Sequence, residues 1–192
     1  YWNGKLVNES DYFIYKDEIL YNSSMTRLIA YRKMEKQYNK FVAFNRYTSQ
    51  MTEAIGWTGE HSYDVPVGIV EIACGAFAGK HSLFSVSLPT SVCRIENAAF
   101  VCCENLGFIN IPSTVTGIGN YSFWHCESLG NIELPSGLTS IGMGAFACTF
   151  SLSSIVLPKS VIKYGWVVGT GPFEGSGLKE VTLENGTASI AE

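Results

Sequence analysis

Hydrophobic positions along this chain recur in columns 23 residues apart. Ile72, Ile95, Ile118 and Ile141 form one column, and Phe77, Phe100, Phe123 and Phe146 form another. A small residue precedes each of those phenylalanines: Ala76, Ala99, Ser122 and Ala145. Leu83, Leu106, Leu129 and Leu152 keep the same step, as do Val86, Ile109, Ile132 and Ile155. Leu88, Ile111, Leu134 and Leu157 follow, each with proline after it, and Val92, Val115, Leu138 and Val161 close the unit. Self-similarity at one fixed period is the signature of a solenoid, in which each unit makes one coil and neighbours bury one another's apolar side.

Within a unit, Leu-x-x-Val/Ile-x-Leu/Ile-Pro ends in a period-two alternation, which predicts a short strand with alternate residues pointing inward. The proline has no N–H to offer a continuing ladder and turns the chain. The Ile-Gly-x-x-Ala-Phe segment returns it, with small residues leaving room for the ring. Stacking then places like residues about 4.8 Å apart in parallel strands. The expected fold is therefore a right-handed, β-rich solenoid with little helix.

Val65-Pro66 supplies the end of an earlier unit, and Leu178, Val181, Leu183 and Ile190 resume the pattern after a four-residue insertion within Gly165 to Pro172. The expected organisation is a non-repeat segment over residues 1–60 and a solenoid of about five to six coils over 61–192, cut in mid-repeat. In the first segment Tyr12-Phe13-Ile14-Tyr15, Ile19-Leu20-Tyr21 and Leu28-Ile29-Ala30-Tyr31 read as short strands separated by polar turns. Met34, Tyr38, Phe41 and Val42 recur at helical spacing, so Lys33 to Asn45 is expected to form a short amphipathic helix. Together these predict a hairpin and short helix capping the first coil; a separate tyrosine-rich binding element is the other reading.

The units running from Ile95-Glu96-Asn97-Ala98-Ala99-Phe100 through Cys103, Leu106, Ile109 and Ile111-Pro112-Ser113 resemble the BspA-like, or Treponema-type, leucine-rich repeats. The resemblance covers residues 65–190, and the Ala-Phe-x-x-Cys block makes it specific. The segment from Lys16 to Tyr31 is similar to the hairpin that precedes such repeats in many gut-bacterial members. What the resemblance implies is a leucine-rich-repeat solenoid on a bacterial surface or secreted protein, with adhesion to matrix proteins or cells as its role. It carries over no catalytic residues, and an extracellular or cell-surface location follows from it alone.

Composition changes this picture little. Hydrophobic residues make up 46% and charged residues 16% of the 192 residues, enough for a packed core. The formal charge is −4, with no basic stripe for a phosphate backbone, so nucleic acid is not an expected partner. Eight of the 13 Lys/Arg lie in the first sixty residues. No apolar run is long enough for a membrane span.

Candidate chemistry is sparse. Cys103 and Cys126 share an inward column and read as free, buried thiols, since in-register parallel side chains fit a disulfide dihedral poorly. Cys102, His125 and Cys148 share the next column and superficially suggest a metal site. Their outer members, however, are roughly 9–10 Å apart at the strand spacing and lack a fourth ligand. His61, His81 and His125 have no cysteine-protease context, no glycine-rich phosphate loop is present, and Glu133 and Glu180 fall in different columns. No metal, cofactor or catalysis is expected.

The outward strand positions form two columns: Ser85, Phe108, Asn131, Ser154 and Glu180, beside Ser87, Asn110, Glu133, Val156 and Thr182. Because solenoids bind through such extended faces, Phe108, Asn110, Asn131, Glu133 and Val156 are the expected contact residues. Trp124, flanking the core ring Phe123 with Tyr121, is a further candidate anchor on the turns, and Trp166 lies in the insertion. The expected function is a non-catalytic interaction or adhesion module for a host matrix protein, cell-surface protein or glycan. The alternative is a passive spacer presenting another domain.

Overall fold

The computed structural model describes residues 12–16, 19–31, 39–45, 50–56, 61–164 and 171–184. It is a stack of parallel coils, and the described residues contain no helix. Five strands begin it: β1 (Phe13–Lys16), β2 (Ile19–Asn22) and β3 (Arg27–Tyr31) form an antiparallel meander, and β4 (Asn39–Asn45) pairs antiparallel with β5 (Gln50–Gly56). The coils then contribute β6 (His61–Asp64), β7 (Glu71–Ile72), β8 (Leu83–Ser87), β9 (Arg94–Ile95) and β10 (Phe108–Ile109). They continue with β11 (Gly117–Ile118), β12 (Ser140–Ile141), β13 (Ser154–Leu157), β14 (Lys163–Tyr164) and β15 (Glu180–Leu183).

Over Asn39–Asn45 the helix expected for Lys33 to Asn45 is corrected by β4. Asn39–Asn45 pairs residue for residue with β5, from Asn39 against Gly56 to Asn45 against Gln50. Phe41-Val42-Ala43-Phe44 is a continuous aromatic and β-branched run, which favours strand over helix once a second strand lies a short loop away. Residues 32–38 and the insertion at 165–170, with Trp166, lie outside the described residues.

Two flanks of the coil carry parallel ladders, and they differ. On one flank the Ile-Gly segments build an eight-stranded sheet in the order β1-β2-β3-β7-β9-β11-β12-β14. Its parallel part keeps one register throughout: Leu28, Ile72, Ile95, Ile118, Ile141 and Tyr164 lie side by side. The meander thus joins the solenoid directly through β3. On the other flank, where the Leu-x-x-Ile-x-Leu segments were expected to form the ladder, the pairing is interrupted. One sheet runs β10-β8-β6, another β13-β15, and Asn131–Leu134 between them belongs to neither.

The columns converge on one core. Phe77, Phe100, Phe123 and Phe146 are each fully buried, and their rings stack with Phe173 at centroid distances of 4.8, 5.3, 5.3 and 5.6 Å. The residue before each ring is small because the returning chain passes close beside it. Ser122, the polar member of that column, donates its hydroxyl to the Gly119 carbonyl at 2.9 Å. At the start of the stack Tyr31 lies on Phe77 at 5.0 Å, Tyr63 packs against Tyr31 at 4.7 Å, and the Tyr21 and Tyr63 hydroxyls meet at 3.2 Å. Tyr31 of β3 and Tyr63 of β6 therefore cover the outermost ring of the spine.

A third set of bonds runs through the turns. Gly79, Cys102, His125, Cys148 and Gly175 occupy the left-handed region, with φ between 56° and 67°, and so do Gly75, Ala98, Tyr121 and Gly144. These residues point N–H groups at the following coil: Ala98 to Asn120, Tyr121 to Met143, Cys102 to Trp124, and His125 to Ala147. Non-glycine residues adopt that conformation at a cost of roughly 1–2 kcal/mol, so several coils carry strain that glycine would relieve.

Candidate functional site

The interruption at Asn131–Leu134 shapes the strand face. Among the described residues, no backbone hydrogen bond joins this rung to the coil on either side. Ile132 still turns into the core, held by the spine, while its flanking residues are exposed. The result is a groove of about 420 Å³ lined by Asn131, Glu133, Ser154, Val156, Glu180 and Thr182, with Ile132 and Ile155 beneath. Three of the residues expected at a contact face, Asn131, Glu133 and Val156, therefore come together in one depression.

The other expected residues fall differently. Phe108 lies outside the groove on the neighbouring sheet, 59% exposed, with its ring edge-on to Phe84 at 5.3 Å. Val156 is 50% exposed at the groove itself. Both leave apolar surface exposed on the strand face. Asn110 also has a structural task. Its side chain accepts from the Leu88 N–H at 2.7 Å and donates to the Leu88 carbonyl at 2.8 Å, prolonging the β8–β10 pairing after β10 ends. A side-chain amide mimics a peptide group, which explains asparagine at this outward position.

Trp124 is half-buried on the opposite turns, edge-on to Tyr121 at 6.3 Å and to His125 at 4.4 Å. Phe150 is exposed beside His125, whose Nδ1 is 3.3 Å from the Glu127 carboxylate. The Tyr121 ring lies over Gly144, where a Cβ would sit 2.6 Å from it. Glycine at 144 therefore serves both the left-handed turn and the ring above it.

Cys103 and Cys126 are buried free thiols, as their column predicts. Their Sγ atoms donate to the Phe77 and Phe100 carbonyls at 3.1 and 3.2 Å. Burial pushes the Cys103 thiol up to about 12 and raises Cys126 well above its ordinary value. Neither is a poised nucleophile, because the thiolate would be stranded in the core. Cys102 is half-buried, and its thiol is raised first by burial and then by the Glu104 and Glu127 carboxylates. The Cys102–His125–Cys148 column holds left-handed turn residues, and among the described residues no group of three ligating side chains could hold a metal ion. Gly79 and Gly175 in the same structural column were the sequence signal for that backbone role.

Sequence reasoning missed two further members of the face, Ser62 and Asp64. Asp64 pairs in register with Ser87 and Ser62 with Ser85, so both outward columns begin one coil earlier. Stepping back 23 residues from Ser87 reaches Asp64, so the signal was present.

A stacked-coil solenoid with an aromatic spine, short parallel strands and an exposed strand face is a leucine-rich-repeat architecture. The BspA type leucine rich repeat region model matches residues 58–166 and 139–192 in six copies, and the chain belongs to that family. No curated protein matches the sequence. Among solved structures, a leucine rich cell surface protein from Faecalibacterium prausnitzii is similar, at 24% identity and a TM-score of 0.71 over 96% of this chain and 44% of that one. The T. pallidum leucine rich repeat protein TpLRR is 28% identical over 78% of this chain and 70% of its own, with a TM-score of 0.59. A leucine-rich repeat protein from Bacteroides ovatus shares the fold at 22% identity and a TM-score of 0.60, over 95% and 43%. The chain thus spans less than half the length of the first and third of these proteins. Among its described residues no helix is long and apolar enough to cross a membrane.

Proposed function

We propose that this chain is an extracellular, non-catalytic interaction module that holds a protein partner on its strand face. The observation that carries the reading is the groove at the interrupted rung, with exposed Val156 inside it and exposed Phe108 beside it. A rigid spine behind a face whose ladder is interrupted at one rung presents preformed apolar and polar contacts at little ordering cost. That the similar Faecalibacterium protein is a cell surface protein supports placing the module outside the cell. In this reading residues 1–60 cap the first coil, and residues 61–192 form the binding solenoid.

The test is binding of the purified chain to immobilised extracellular-matrix proteins and, in parallel, to surface glycans. The Phe108→Ser/Val156→Ser variant runs beside it. Saturable binding to a protein, weakened about tenfold or more in the variant, is the expected result. Binding that the variant leaves unchanged would move the site to the Trp124 turn. Capture of glycans alone would replace the protein partner, and inertness across both panels would make the segment a spacer.

A further inference from the structure

Charge on the strand face is one-sided. Its two outward columns read Ser62, Ser85, Phe108, Asn131, Ser154, Glu180 and Asp64, Ser87, Asn110, Glu133, Val156, Thr182. They contain three carboxylates and no lysine, arginine or histidine. Several carboxylates elsewhere on the coils have basic neighbours: Glu71 meets Arg27 at 2.5 Å, Glu96 meets Arg94 at 3.3 Å, and Glu104 meets His81 at 3.5 Å. Among the described residues, Asp64, Glu133 and Glu180 have no cationic partner. Two of these three line the groove.

Position matters as much as sign. Glu133 and Glu180 stand two coils apart in different columns, at diagonal corners of the groove and roughly 10 Å apart along the stack. Between them lies the exposed Val156, above the buried Ile132 and Ile155 that floor the groove. A long basic side chain fits both parts, because its methylene stem lies on apolar surface while its charged head reaches a carboxylate at the rim. Asn131, Ser154 and Thr182 supply hydroxyl and amide groups for an extended backbone alongside.

We propose that the groove takes arginine or lysine side chains from an extended, basic segment of the partner protein, with Glu133 and Glu180 as the paired anchors. This rests on the strand face being the binding face. A basic partner approaching these two columns meets three carboxylates and no cation, so attraction steers encounter and weakens with salt.

The probe is a fluorescein-labelled octapeptide of Ser-Arg repeated four times, titrated into the full chain at 20 and 300 mM NaCl. A Ser-Glu octapeptide is the control. The arginine peptide should bind, lose about tenfold in affinity at the higher salt, and lose about tenfold in Glu133→Gln/Glu180→Gln. Glu104→Gln/Glu174→Gln removes the same charge from the turns and should change affinity less than about twofold. Equal losses in the two double variants would reduce the effect to net charge and overturn the proposal, as would no binding of the arginine peptide. The matrix-protein assay separates this from the broader reading. A protein partner lost in Phe108→Ser/Val156→Ser but indifferent to Glu133→Gln/Glu180→Gln would keep the binding face and remove its basic occupant.

Discussion

The two ladder-bearing flanks of the coil are made from the same 23-residue unit yet meet different ends. On the Ile-Gly flank the coil strands β7, β9, β11, β12 and β14 are only two residues long, but the pairing never breaks from β3 to β14. On the Leu-x-x-Ile-x-Leu flank the strands reach five residues, but the ladder stops at β10 and resumes at β13. Length of strand is therefore not what holds this stack together. Close backbone approach is: at Gly119 an added Cβ would sit 2.5 Å from the Asn97 nitrogen, and at Gly142 2.4 Å from the Asn120 nitrogen. Those contacts fix the coil spacing on one flank and leave the other free to open into a groove.

The most damaging change should be to what both flanks share. Phe123→Ala removes a fully buried ring from the middle of the spine and should cost about 3–5 kcal/mol, read as a lower midpoint in urea unfolding. Because each coil contacts only its neighbours, the loss should also broaden the transition. Next comes the close-approach flank: Gly142→Ala forces two coils apart and should cost about 1–3 kcal/mol. Gly130→Ala, on the interrupted flank with nothing nearer than 3.8 Å to its Cβ, should cost less than Gly142→Ala in the same assay.

Alkaline pH probes the core between the flanks. The buried Cys103 and Cys126 thiols titrate above their ordinary value of 9.0, so the folded state holds their protons longer than the unfolded chain does. The stability they contribute is complete below pH 9 and falls as pH rises from 9 towards 12. The slope is about 1.4 kcal/mol per pH unit for each thiol. Cys103→Ala should show a shallower fall in denaturant midpoint over that range than the parent chain.

The smallest effect belongs to the turns. Ala98→Gly relieves a left-handed alanine and should raise stability by up to about 1 kcal/mol, less the entropy glycine adds to the unfolded chain. A decrease would mean that the turn geometry is held elsewhere.

Much of this was legible in the chain. The phenylalanine column became the ring stack, and the inward Cys103–Cys126 column became buried thiols, because a core position recurs at the repeat period whatever ladder surrounds it. The three N-terminal strands were legible from their alternation. Which flank carries the unbroken ladder was not, since two-residue strands such as Gly117–Ile118 leave no period-two signal. The gap at Asn131–Leu134 was hidden too, because Asn-Ile-Glu-Leu-Pro obeys the unit's pattern fully. Asn110 looked like a contact residue because its outward column said so, while its task depends on Leu88, a coil away. The Lys33 to Asn45 segment failed differently: four apolar residues at helical spacing were outweighed by pairing with a strand further on.

Amide hydrogen exchange under native conditions tests the contrast between the flanks most directly. The N–H groups of Thr116, Gly119, Thr139 and Gly142 each bond a carbonyl of the preceding coil, whereas Asn131, Ile132 and Glu133 have no such partner among the described residues. The first group should exchange only with global unfolding, and the second orders of magnitude faster. Equal protection in both groups would mean the strand face is closed by a continuous ladder, and the groove with its proposed occupant would fall with it.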